Sequence, residues 1–183
     1  MNKRVFLETN DAIRAVTCGK DAHAIRQFSF MNKEQPASVR GLLQDLGFGL
    51  EFNVLPRNIS ARLVPDTWPL KGFTVEVNLL HSRMRQRFSA LHEVGHYYLH
   101  PHQLDQITST PHRAMGNSLS DHVYSHEEAI EETEVNQWAD FVIFGNGTLA
   151  AAVTLYGKNL QLLSQHFGFS EAVVKRALER RNL

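Results

Sequence analysis

Two histidines four residues apart flank a glutamate in the segment RFSALHEVGHYYLHP, residues 87–101. His92, Glu93 and His96 form the pattern HExxH. In an α-helix, residues four apart lie on one face a turn apart, so both imidazole rings can reach the same ion. A glutamate beside that ion can act as a general base. The spacing therefore predicts a hydrolytic zinc centre, with His92 and His96 as ligands.

A catalytic zinc site needs a third protein ligand and keeps one position open. His102 is one candidate, at the spacing of the longer pattern HExxHxxGxxH, but Leu99 stands where that pattern has its glycine. The other candidates are acidic residues in the segment SHEEAIEETEVNQWADFVIFG. Three of them lie near the apolar stripe of a helix in this segment, and periodicity does not choose among them: Glu128, Glu131 and Glu132.

Two helices must hold the candidate ligands close together, and the sequence predicts where both begin or end. The first is predicted over about 82–100, because Pro101 cannot continue it. The second is predicted over about 126–144, with Ser125 and Glu128 as a capping box. The polar segment between them is long, and such loops in compact domains are often functional or mobile. The histidines in this segment and at its two ends could shape a cleft or bind extra metal: His100, His102, His112, His122 and His126.

An earlier helix, a small sheet and a helical tail complete the predicted elements. The helix follows Pro36 and stops at Gly47. Three short runs rich in β-branched or aromatic residues predict strands: LEFNVL, ISARLV and FTVEVN. The last region predicts two short helices joined at residues 168–170. We expect an α+β fold that is mainly helical, with a small, mainly antiparallel sheet packed beside the HExxH helix and a short helical C-terminal tail.

The bulk composition is that of an ordinary globular protein. The chain has 183 residues, 43% of them hydrophobic, and its 19 basic and 19 acidic side chains cancel. No overall charge attracts nucleic acid or an anionic membrane. Cys18 is the one cysteine, which excludes a disulfide framework, and no run of apolar residues is long enough to cross a membrane. We expect a soluble, cytoplasmic protein with a helical segment at 1–35, a metallopeptidase core at 36–147 and a tail at 148–183.

Three stretches, FTVEVN, RQRFSALHEVGHYYLH and EETEVNQWADFVI, together resemble the ImmA/IrrE family of metallo-endopeptidases. That family has a strand ending in Asn, then an RxxFTLAHELGH helix, then ExxANxFAxxLLMP. The segment FGFSEAVVKRALERRNL resembles the tail of the family, so the resemblance covers about residues 36–183. There are two departures, both after the ligand positions: Val135 replaces a small alanine, and VIFG replaces LLMP.

The resemblance implies a zincin-like domain that holds one Zn²⁺ per chain, with Glu132 as the third ligand. It also implies that Asn136 orients a ligand histidine, because metal-bound histidines usually donate their other N–H to an acceptor. Glu93 would be the general base for the attacking water. Tyr124 and His126 are our candidates for stabilising the oxyanion, with two further candidates behind them: Tyr97 and His122.

By resemblance, the substrate is a helix-turn-helix repressor of the Cro/cI type, whose cleavage relieves transcriptional repression in stress responses or mobile elements. Two alternatives remain. The segment LLSQHFGFSEAVVKRAL resembles a helix-turn-helix, which would suit a DNA-binding or repressor-binding protein. Residues 159–183 carry four basic residues against two acidic ones, a net charge too small for us to expect direct nucleic-acid binding. The other alternative is a metal-dependent regulator that binds a repressor without cutting it.

Overall fold

Helices make up most of the described chain and pack around a three-stranded sheet. The computed structural model describes residue 25 and residues 38–104, 126–145 and 147–183. Its elements follow in this order: α1 (Val39–Leu46), β1 (Gly49–Asn53), β2 (Ala61–Pro65), β3 (Phe73–Asn78), α2 (Arg83–Leu99), α3 (His126–Phe144), α4 (Thr148–Tyr156), α5 (Leu160–Phe167) and α6 (Glu171–Arg180). The predicted α+β, mainly helical class is confirmed.

Several predictions concern residues outside the ranges that the structure describes. The N-terminal helical segment, except residue 25, and most of the loop between the two site helices lie outside the described residues. So do individual residues singled out above: Cys18, His112, His122, Tyr124 and Ser125.

Capping residues set the helix ends close to where the sequence predicts them. The Ser82 side chain accepts a hydrogen bond from the backbone N–H of Arg85 at the start of α2. That helix ends with His100 as its cap, and residues 101–104 are helical again after Pro101 breaks the run. Gly47 ends α1 with a φ of 87°, a left-handed conformation that favours glycine. Helix α4 lies in the predicted tail, although the pattern marked only α5 and α6 there.

The sheet is mixed, which corrects the expectation of a mainly antiparallel one. Its strand order is β1-β3-β2, with β1 parallel and β2 antiparallel to β3. Strand β3 takes the centre because most of its side chains, on both faces, are buried. Strand β2 ends in Pro65, which cannot donate a ladder hydrogen bond and suits an edge. After β1 the chain crosses to the opposite edge of the sheet, where it forms β2. It then returns as β3 in the centre, antiparallel to β2 and parallel to β1.

Helix α2 occupies the middle of the molecule, between the sheet and α3. Ala90, Leu91 and Val94 on α2 are buried in the hydrophobic core. The same core includes tail residues such as Leu149, Leu163, Val174 and others. The tail is also joined to α3 by an ion pair, in which Arg181 Nη1 lies 2.6 Å from the buried Asp140 Oδ2. The division of the chain into an N-terminal segment, a core and a tail, at residues 35 and 147, stays a prediction.

None of the individual helices that the structure describes combines the length and apolar composition needed to cross a membrane. Helices α3 and α4 taken together would pass that test, but they are bent by 59° and interrupted between them. The apolar side of α3 is buried in the core.

Candidate metal centre

Helix α2 presents two imidazole nitrogens to one point. His92 and His96 are one helical turn apart, and their Nε2 atoms lie 3.0 Å from each other. The His96 side chain is almost fully buried, whereas that of His92 is 17% exposed. Two ring nitrogens at this distance need either a shared proton or a shared cation between them.

Helix α3 brings a carboxylate to the same point. Glu132 Oε2 lies 3.2 Å from His92 Nε2, and Glu132 Oε1 lies 3.2 Å from His96 Nε2. Ligands at the corners of a tetrahedron with bonds of about 2.0 Å are roughly 3.3 Å apart. The separations of the three side chains therefore match those of a tetrahedral metal site, and their ligand atoms all lie within 4.8 Å of one another.

Glycine at position 95 allows the two helices to approach this closely. A Cβ atom there would lie 2.8 Å from Val135 Cγ1 and 3.2 Å from Trp138 Cε3, both on α3. The first distance is shorter than van der Waals contact allows. The missing side chain thus lets α3 pack against α2 with Glu132 within reach of both histidines.

A chain of hydrogen bonds determines which nitrogen of His96 carries the proton. Gln103 Nε2 donates a hydrogen bond to Glu131 Oε2. The Gln103 carbonyl oxygen, Oε1, is therefore the atom that lies 3.1 Å from His96 Nδ1. It can only accept, so Nδ1 carries a proton, and Nε2, which faces Glu132, is the nitrogen that remains to bind a metal.

Glu93 lies buried beside these groups, on the sheet side of α2. It is 3% exposed, and its Oε2 atom has no hydrogen-bond partner in the part of the chain that the structure describes. Burial raises the pKa of Glu93 to about 8, an effect that the charge of nearby His96 opposes and that of Glu132 reinforces. A carboxyl group with a pKa in this range can both accept and return a proton near neutral pH.

The pKa of Glu132 is shifted in the opposite direction to that of Glu93. Burial alone would raise its pKa, but hydrogen bonds to His92 and His96 and their charge outweigh burial and hold the pKa well below its ordinary value. Glu132 is therefore a carboxylate at neutral pH. Two imidazole nitrogens and one ionised carboxylate are a donor set that fits a divalent metal ion.

The other predicted residues are placed as follows. Glu131 and His102 face each other, with His102 Nε2 3.1 Å from Glu131 Oε1, and neither is paired with His92 or His96. Asn136 is half-buried one turn after Glu132, and His126 is exposed at the first residue of α3. Tyr97 packs edge-on against Phe48 and other rings. The roles assigned to Asn136, His126 and Tyr124 stay predictions.

Gln103 is the side chain in this site that sequence reasoning missed. It lies in the segment predicted as a loop, and neither its type nor its spacing signals a contact with His96. The sequence predicts Glu131 only as a candidate ligand, whereas its Oε2 atom accepts a hydrogen bond from Gln103. A local pattern could not have found this pair, because it depends on how α3 packs against the end of α2.

A helix that carries HExxH, faced by a glutamate from a following helix, is an arrangement typical of metallopeptidases. Residues 65–179 match the family model of the IrrE N-terminal-like domain, a peptidase family. The chain belongs to this family, so the resemblance to the ImmA/IrrE peptidases is confirmed. Membership implies a divalent metal and a protein substrate. No curated protein matches the chain.

Proposed function

We propose that the protein is a zinc-dependent endopeptidase that cleaves a helix-turn-helix repressor of the Cro/cI type in the cytoplasm and so relieves repression. The observation that carries this proposal is the convergence of His92, His96 and Glu132, whose ligand atoms lie within 4.8 Å of one another, beside the buried Glu93. Membership of a peptidase family supports the reaction class.

His92, His96 and Glu132 are the proposed zinc ligands. A nitrogen-rich site with one carboxylate suits zinc better than calcium or magnesium, which prefer oxygen ligands. Zinc bound there would supply Lewis acidity, towards both a water molecule and the carbonyl group of the scissile peptide. Gln103 keeps the His96 ring in the tautomer that a ligand needs, and Asn136 is proposed as a second orienting residue.

Glu93 is the proposed general base. Its carboxylate takes the proton of the attacking water and returns it to the amine of the leaving segment. The pKa of about 8 belongs to the metal-free site, and a cation bound beside Glu93 would lower that pKa and favour the carboxylate form that a base needs. Tyr124 and His126 are proposed to donate hydrogen bonds to the oxyanion, since they precede and begin the helix that carries Glu132.

The test uses the wild-type protein and Glu93→Gln, each incubated with the purified helix-turn-helix repressor whose gene lies nearest. We expect a single new pair of fragments by mass spectrometry with the wild type only. Zinc analysis should show that Glu93→Gln keeps its metal while Glu132→Ala loses it. Cleavage of the repressor by both proteins would show that Glu93 is not the general base.

The same experiment separates the alternatives. A repressor that is bound in the presence of zinc but left intact by the wild type would favour the non-proteolytic regulator. A DNA shift by the protein alone would favour a DNA-binding tail. The surface of α6 argues against the latter, since the exposed Lys175 lies 3.9 Å from Glu179, which offsets its charge.

A further inference from the structure

A second group of histidine and glutamate side chains lies beside the proposed zinc site. His102 Nε2 and His100 Nδ1 lie 3.1 Å and 3.7 Å from the same atom, Oε1 of Glu131. The ligand atoms of these three residues all lie within 4.8 Å of one another. This group shares no ligand with the set formed by His92, His96 and Glu132.

The fold brings this second group together from two directions. His100 caps α2 and is buried, and Pro101 then starts a new helical turn that returns His102 towards α3. Glu131 precedes Glu132 on α3, so its carboxylate leaves the helix in a different direction. The His102 side chain is 60% exposed, which gives the group an opening to solvent.

Ion pairing alone does not account for this arrangement. The buried His100 ring lies too far from Glu131 for a hydrogen bond, since its Nδ1 is 3.7 Å from Oε1. Imidazole nitrogens and a carboxylate oxygen around one point are the ligands of a borderline metal ion.

We propose that His100, His102 and Glu131 form a second site for a divalent transition-metal ion of the zinc type, exchangeable with solvent on the side of His102. The two oxygens of Glu131 serve different partners, since Oε2 accepts from Gln103 and Oε1 faces the two rings. Metal at the second site therefore adjoins the hydrogen-bond chain that ends at His96. This inference does not depend on peptidase activity.

The test is equilibrium dialysis of the full chain against buffered zinc, with the bound metal counted for five proteins. We expect about two zinc ions on the wild type, about one on Glu132→Ala, about one on His102→Gln and none on the double variant. His166→Gln, which removes an exposed histidine on α5, should bind as many ions as the wild type. A His102→Gln protein that binds as much zinc as the wild type would overturn the proposal.

If Glu132→Ala fails to fold, a spectroscopic titration can still test the proposal. His102 is largely exposed, so His102→Gln is expected to fold like the wild type. Titration of the metal-free wild type with Co²⁺ should give two successive increments of visible absorbance, and His102→Gln should lose one of them. A single increment in both proteins would show that the second group binds no metal.

Discussion

Gly95 and Val135 are in contact across the two helices that carry the proposed zinc ligands, and the contact leaves no room for a side chain at position 95. Gly95→Ala gains about 1 kcal/mol in helix propensity. Overpacking against a fully buried valine costs about 1–3 kcal/mol. We expect a net loss of stability in urea unfolding, together with weaker zinc binding, because α3 must move away from α2.

A second substitution tests the cause of that loss. Val135→Ala, introduced into Gly95→Ala, removes the Cγ1 atom that the new Cβ would meet at 2.8 Å. The double variant should therefore bind zinc more tightly than Gly95→Ala alone. If it does not, the distance between the helices is set by Trp138 or by another contact instead.

The burial of Glu93 makes the stability of the metal-free protein depend on pH. In the folded protein the raised pKa keeps Glu93 protonated up to about pH 8, whereas in the unfolded chain it ionises near its ordinary value of 4.5. The folded state binds more protons between those values, so the free energy of unfolding falls as pH rises through this window. Glu93→Gln should flatten the dependence, measured by urea unfolding in chelator at several pH values.

The matched control for this measurement is Glu171→Gln, which removes an exposed carboxylate at the start of α6. Its pH profile should follow that of the wild type between pH 4.5 and about 8. Parallel profiles for wild type and Glu93→Gln would mean that Glu93 is not held in its protonated form by the fold.

Gln103 is expected to influence zinc affinity through His96. Gln103→Leu removes the acceptor at His96 Nδ1, and the ring is then free to adopt the wrong tautomer. Loss of such a partner typically weakens metal affinity by about 10- to 100-fold. Competition with a chromophoric chelator measures this, and Gln137→Leu, on the exposed side of α3, should leave the affinity unchanged.

Two neighbouring arginines should contribute unequally to stability. Arg181 Nη1 lies 2.6 Å from Asp140 Oδ2, whereas Arg180 Nη1 lies 3.8 Å from Oδ1 and is more exposed. Arg181→Ala leaves a buried carboxylate without its close partner and should cost about 1–3 kcal/mol. Arg180→Ala should cost less than about 1 kcal/mol. Equal unfolding midpoints for the two variants would contradict this ranking.

Features set by short-range chemistry could be predicted from the sequence. Ser82 and Pro101 mark the ends of α2 because a hydroxyl caps free N–H groups and a proline cannot continue a helix. The pairing of His92 with His96 follows from helical spacing alone. The choice of Glu132 among three acids came from the family resemblance, because each of them satisfied the periodicity.

Features that depend on distant parts of the chain could not be predicted in this way. The parallel pairing of β1 with β3 depends on which strand takes the centre of the sheet, and local pattern does not encode strand order. The contact between Gln103 and Glu131 spans two elements with no shared periodicity. The close approach at Gly95 likewise becomes visible only when the partner helix is in place.

Glu131 and Glu132 are consecutive on α3, and they leave the helix about 100° apart. Each carboxylate faces a different pair of histidines, so any rotation of α3 about its axis moves both at once. Both clusters therefore restrain the rotation of α3 about its axis. Arg181, which lies 2.6 Å from Asp140 on α3, adds a contact with the tail to this restraint.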